Sequence, residues 1–90
     1  MNTQKMQLTP LVIDRIDEEL EYIATLNEQG RSDGLHHGTA GQLLTLEVYA
    51  RKAREAWVNN PSDTQALHEL RKCAAIAIRA LLTEGCPQRK

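Results

Sequence analysis

Apolar residues recur at helical spacing in three stretches of the chain. Ile13, Ile16, Leu20 and Ile23 step along one side of the first stretch, with Val12 and Leu26 beside them. Thr9 followed by Pro10 is a helix-start signal, and Gly30 is a plausible stop. The spacing predicts helix 1 over about 10–28. Leu43, Leu46, Ala50, Ala53 and Trp57 form the main stripe of the second stretch, widened by Leu44, Val48 and Tyr49. Thr39 and Gln42 read as a T-x-x-Q capping box, so helix 2 is expected over about 40–58. The sequence NNPSD, Asn59 to Asp63, then breaks the chain. Either Asn60 caps with Pro61 at the first position, or Ser62 caps with Gln65. Helix 3 is expected over about 63–84, ended by Gly85 and Pro87.

Helix 3 carries apolar residues on more than one side. CAAIAI, Cys73 to Ile78, is an unbroken apolar run. A helix apolar around much of its circumference must be covered on several sides. The short break before it implies that it folds back on helix 2. The expected fold is all-α: three helices, a dominant antiparallel hairpin of helices 2 and 3, and self-association into an oligomer. One helical domain spans 1–90, with residues 1–8 polar, aperiodic and expected to be flexible.

Composition sharpens this picture. The chain has 90 residues and no Phe; Tyr22, Tyr49 and Trp57 are its aromatics. So short a chain buries only roughly 60% of its unfolded surface. Tyr49 and Trp57 are therefore expected in the core, and an oligomer is expected to supply further burial. Cys73 reads as a small buried hydrophobe, and Cys86 lies in a polar tail; neither has C-x-x-C or zinc spacing. No apolar run reaches about 18 residues and no signal peptide is visible, so no membrane contact is expected, and the cytoplasm is the expected compartment.

Net charge is −1, unevenly spread. Residues 1–35 hold three basic and seven acidic side chains, and residues 36–90 hold eight basic and five acidic. That balance argues against direct nucleic-acid binding. It suggests that the acidic first third pairs with the basic remainder, within a protomer or across an oligomer. Asp14, Asp17, Glu18 and Glu21 share one side of helix 1; a magnesium site is conceivable there, but a solvated face is the simpler reading. On helix 2, Glu47 and Arg51 have i,i+4 spacing, whereas Arg54 and Arg71 lack an acidic residue four positions earlier.

The stretch DGLHHGTAGQ, Asp33 to Gln42, carries the densest candidate chemistry. A metal would use His36, His37 and Asp33, yet a zinc site wants three or four ligands and only His68 remains as a further histidine. An anion would use the start of helix 2, where free N–H groups and the helix dipole favour negative charge. Gly38 and Gly41 would allow close backbone approach; Arg31, His36, His37 and Thr39 would add donors. The plainest reading is a turn that starts a helix. The candidate ligand set is His36, His37, Gly38, Thr39, Gly41, Gln42, Tyr49, Arg51 and Arg54, with the arginines reaching over from a neighbouring protomer and Tyr49 available to stack on a base. No catalytic residue, metal or cofactor is expected.

Two family resemblances follow from these residues. GQLLTLEVYARKAREAW and LHELRKCAAIAIRALLTEG resemble helices of the MazG-like all-α nucleotide pyrophosphatases. Those families hold magnesium with E-x-x-E and E-x-x-D; here Ala50 follows Glu47 and Lys72 follows Glu69 at the spacing where the second carboxylates belong. The resemblance therefore implies a shape without the metal ligands. HHGTAGQL, YARKAREAWVNNPSD and ALHELRKCAAIAIRALLTEGCP resemble small helical-hairpin proteins of bacteriophages and prophages, some of which are oligomeric sponges for nucleotide-derived immune signals. That resemblance implies a non-catalytic phage-type protein that antagonises host defence by sequestering a nucleotide signal. The alternatives are an inhibitor docking on a host protein through a helical face, or a degenerate MazG-like nucleotide binder.

Overall fold

The computed structural model describes residues 6–29 and 37–89. Three helices account for most of them: α1 (Pro10–Glu28), α2 (Gly38–Asn59) and α3 (Asp63–Glu84). No strand occurs among the described residues, so the all-α class holds. The expectations for residues 1–5, for the Gly30 stop and for Arg31, Asp33, Gly34 and His36 lie outside the described residues.

Each helix start uses different chemistry. The Thr9 hydroxyl accepts from the Val12 amide at 3.3 Å, and its carbonyl accepts from Ile13 N–H at 3.0 Å. One otherwise orphaned donor of the first turn is thereby satisfied. The start of α2 departs from expectation. Its cap is His37, which makes no side-chain capping bond, and Thr39 lies inside the helix rather than at its cap. The reason is Gly38, whose φ of +66° suits a residue without a Cβ and turns the chain into the helix before Thr39 is reached. The Gln42 amide is consequently free for another use. At α3 the cap is Ser62 rather than Asn60, in extended conformation and again without a side-chain bond.

α3 is the central helix. It packs most extensively on α2 and less on α1. The start of α2 lies against the end of α3, where Gln42 bonds Thr83. The buried cluster is small: Ile23 from α1 meets Ala75 and Ile76 of α3, with Leu20, Leu46 and Tyr49 packed against it. Ala75 is fully buried, so its small side chain lets neighbouring elements approach α3 closely. Cys73 is buried as expected.

Much of the apolar pattern stays uncovered. Trp57, expected in the core, is 47% exposed. The first turn of α1 exposes Leu11, Val12 and Ile13, and α3 exposes Leu67, Leu70, Leu81 and Leu82. Two helices packed on one central helix simply offer too few covering surfaces for stripes this wide. No helix among the described residues is long and apolar enough to cross a membrane.

Candidate functional site

The candidate ligand residues separate into two groups along α2. Gly38, Thr39, Gly41 and Gln42 stand at its start. Arg51 and Arg54 stand about 20 Å further along, at 1.5 Å per residue. One chain therefore does not bring the two groups together.

At the first group, Gln42 is the key side chain, with 1% of its surface exposed. Burying an amide without partners costs several kcal/mol, and here the partners are present. Its Nε2 donates to Thr83 Oγ1 at 2.8 Å and to Glu84 Oε2 at 3.3 Å. Its Oε1 accepts from Arg79 Nε at 2.9 Å. Arg79 is itself buried, and Thr83 Oγ1 donates back to the Arg79 carbonyl at 3.0 Å. The four residues close one end of the α2–α3 contact as a polar clamp. The Glu84 carboxylate also lies over the α2 start, 3.9 Å from where a Cβ on Gly38 would sit. It thus supplies the negative charge that a helix N-terminus favours. Gly41 is partly buried, and its carbonyl accepts from the Thr45 hydroxyl at 3.0 Å. Thr39 and His37 are exposed.

Beside the clamp runs an apolar groove of about 450 Å³ between α2 and α3. Leu43 and Leu46 line one wall, Ala77, Ala80 and Leu81 the other, and Pro87 closes the end. Sequence spacing had placed the leucines of α2 on a core-facing stripe; Leu43 instead remains 56% exposed at the groove's edge.

The second group borders a shallow depression of about 370 Å³ over Ala50, with Glu47, Arg51 and Arg54 around it. Glu47, Arg51 and Arg54 are exposed and enter no ion pair among the described residues, so the expected Glu47–Arg51 pair is not formed. An exposed pair of this kind gains little, which leaves the side chains free to point elsewhere. Tyr49 does not reach this depression. It is half-buried against the core, with the Lys52 ammonium 4.9 Å from its ring centre.

A third cluster joins α1 to α3. Arg71 Nε donates to Glu19 Oε1 at 3.0 Å, and the carboxylate side chain is only 9% exposed. Arg71 also contacts His68 Nδ1 at 2.8 Å. The acidic first third does pair with the basic remainder here, through Glu19, which the ladder of Asp14, Asp17, Glu18 and Glu21 had passed over. Glu18 is used within α1, by Arg15 at 3.0 Å. Next to this cluster Glu69 Oε1 takes Lys72 Nζ at 3.4 Å, while its Oε2 is buried without a partner. Burial pushes the Cys73 thiol pKa up, and the Glu69 carboxylate adds to the effect. That direction is opposite to the activation a nucleophilic cysteine needs. Among the described residues no three His, Cys, Asp or Glu side chains converge where a metal ion would sit.

Comparison with protein families, with curated proteins and with solved structures finds no match.

Proposed function

We propose that the protein is a non-catalytic docking module, a helical hairpin that acts by burying its open α2–α3 face against another protein. The observation that carries this reading is the imbalance between buried and exposed apolar groups. Among the described residues four apolar ones are buried, whereas Leu43, Trp57, Leu70 and Leu81 stand 45% or more exposed. Exposed large apolar side chains in such number mark interaction sites. The polar groups argue the same way. Gln42, Arg79, Thr83 and Glu84 are engaged with one another, and Cys73 is a suppressed thiol. In the setting that the phage hairpin resemblance implies, the assembly so formed would act against a host defence pathway in the cytoplasm.

A second reading keeps a nucleotide-derived signal as the ligand. Arg51 and Arg54 favour it, since two exposed guanidinium groups beside one depression suit phosphate oxygens. The α2 start contributes less to this reading, because Glu84 already stands there and would repel a second anion.

Native mass spectrometry of the protein recovered from a cell lysate supplemented with cyclic dinucleotides and ADP-ribose separates the two. Docking predicts retained protein mass that Leu43→Asp releases, and no nucleotide adduct. A stoichiometric adduct lost in Arg51→Ala/Arg54→Ala would overturn docking in favour of capture. Magnesium-dependent phosphate release from nucleoside triphosphates would overturn both.

A further inference from the structure

The open face of α2 is complementary to itself. Leu43, Ala50 and Trp57 recur every seven residues, the spacing of a helix–helix seam. Glu47 and Arg54 follow Leu43 and Ala50 at the same interval of four, so they flank the seam on one side. They carry opposite charge and stand at equal distances either side of the midpoint between Ala50 and Arg51. Neither enters an ion pair among the described residues. Two copies of α2 laid antiparallel, with a twofold axis at that midpoint, bring Glu47 of each copy beside Arg54 of the other. Ala50 at the centre allows the close approach such a crossing needs; it forms the floor of the depression between these charges.

The same operation acts on the apolar ends. Trp57 lies toward the end of α2, and the apolar groove opens at its start, beside Leu43 and Leu81. The twofold carries Trp57 of each copy over Leu43 of the other, at the mouth of that groove. An indole ring buries roughly 150–250 Å² when covered, and a groove of about 450 Å³ has room for it.

Surface area supplies an independent argument. The chain exposes 7325 Å², whereas a compact protein of 10.1 kDa exposes roughly 5300 Å². The excess is larger than the roughly 800 Å² per partner that a stable interface removes. The Cα radius of gyration, 14.6 Å, likewise exceeds the roughly 12 Å of a compact chain of this length. One copy thus exposes more surface than a compact domain of this size, and the exposed Leu43 and Trp57 are part of it.

We infer that the partner seated on the α2 face is a second copy of this chain, bound antiparallel about a twofold near Ala50, with Glu47–Arg54 pairs across the axis and Trp57 of each copy in the groove of the other. This rests on the docking reading and names its occupant. Isologous pairing of one patch with itself is the commonest assembly of soluble proteins.

Sedimentation of the whole chain from about 1 to about 100 µM, a span that brackets micromolar affinity, tests it, with far-ultraviolet circular dichroism to follow helicity. The wild type is expected to dimerise, with Trp57 emission shifting to the blue as it does. Trp57→Ala should weaken the dimer at least about 100-fold, since symmetry removes two anchors. Glu47→Arg should weaken it about tenfold by opposing like charges, and Glu47→Arg/Arg54→Glu should restore it to within about threefold of wild type. A wild type that stays monomeric at about 100 µM overturns the second-copy inference, while the docking reading keeps its own test. A dimer indifferent to Trp57→Ala, or a double reversal that fails to rescue, overturns the proposed geometry. If Trp57→Ala loses helicity, the charge-reversal pair, confined to exposed side chains, decides alone.

Discussion

The two ends of the α2 stripe use similar residues in opposite ways. At the start, polar side chains are sealed: Gln42 is buried, with Arg79, Thr83 and Glu84 around it. Further along, apolar and charged side chains stand open: Trp57 is half-exposed, and Glu47 and Arg54 lack partners among the described residues. A glutamine in the interior and a tryptophan in solvent invert the usual ranking of burial. Polarity alone therefore does not predict the inside of this molecule. Satisfaction of hydrogen bonds decides at one end, and availability of a covering surface decides at the other.

Exchanging polarity at near neighbours of α2 should break this contrast most visibly. Gln42→Leu removes the acceptor of a buried arginine hydrogen bond and the donor to the Thr83 hydroxyl, and should cost about 2 kcal/mol in urea unfolding. Leu44→Gln, two residues away at a side chain 64% exposed, should change stability by no more than about 0.5 kcal/mol. If the two variants cost the same, the clamp is not what holds α2 to α3.

A smaller effect is expected at the other junction. A double-mutant cycle of Glu19→Gln and Arg71→Met should show a coupling of about 1 kcal/mol, because the carboxylate is nearly buried while the guanidinium is 31% exposed. Zero coupling would mean that α1 is held by Ile23 and its apolar contacts alone.

The smallest effect concerns pH. The folded-state pKa of Cys73 is raised, so the folded protein keeps a thiol proton that the unfolded chain gives up. Stability from this source is present below the unfolded thiol value near about 8.5 and declines as pH rises above it. Urea midpoints measured through this alkaline range should fall for the wild type and fall less for Cys73→Ala. Glu69→Gln should reduce the slope in part, since the Glu69 carboxylate contributes to the shift.

The helices were legible because their apolar spacing and the Thr9–Pro10 start are local signals. The helix 1 and helix 3 bounds agree with those expected; α2 begins two residues early because Gly38 starts it. The sequence misleads at Gln42 for a physical reason. Its spacing from Thr39 imitates a capping box, while its real partners lie 37 to 42 residues later. Local spacing does not single out Glu19, because its partner is 52 residues away. The sequence places Trp57 in the core because a chain without Phe needs every large side chain inside. That reasoning assumes one chain must complete its own interior, and the exposed rows on α2 and α3 go against it. The candidate site was legible as a set of residue types. Its division into a sealed cluster and an open depression depends on α3, which the local pattern of α2 does not contain.

The backbone at Gly38 has a consequence for which residues position 38 accepts. A Cβ there would meet nothing nearer than 3.9 Å, so space is not what excludes a side chain. The restriction is one of handedness: at φ +66° an L-residue strains against its own carbonyl, and Asn or Asp tolerate this far better than Ala or a β-branched residue. Tolerance at this position should rank by backbone stereochemistry and not by bulk, with asparagine accepted where the smaller alanine is resisted.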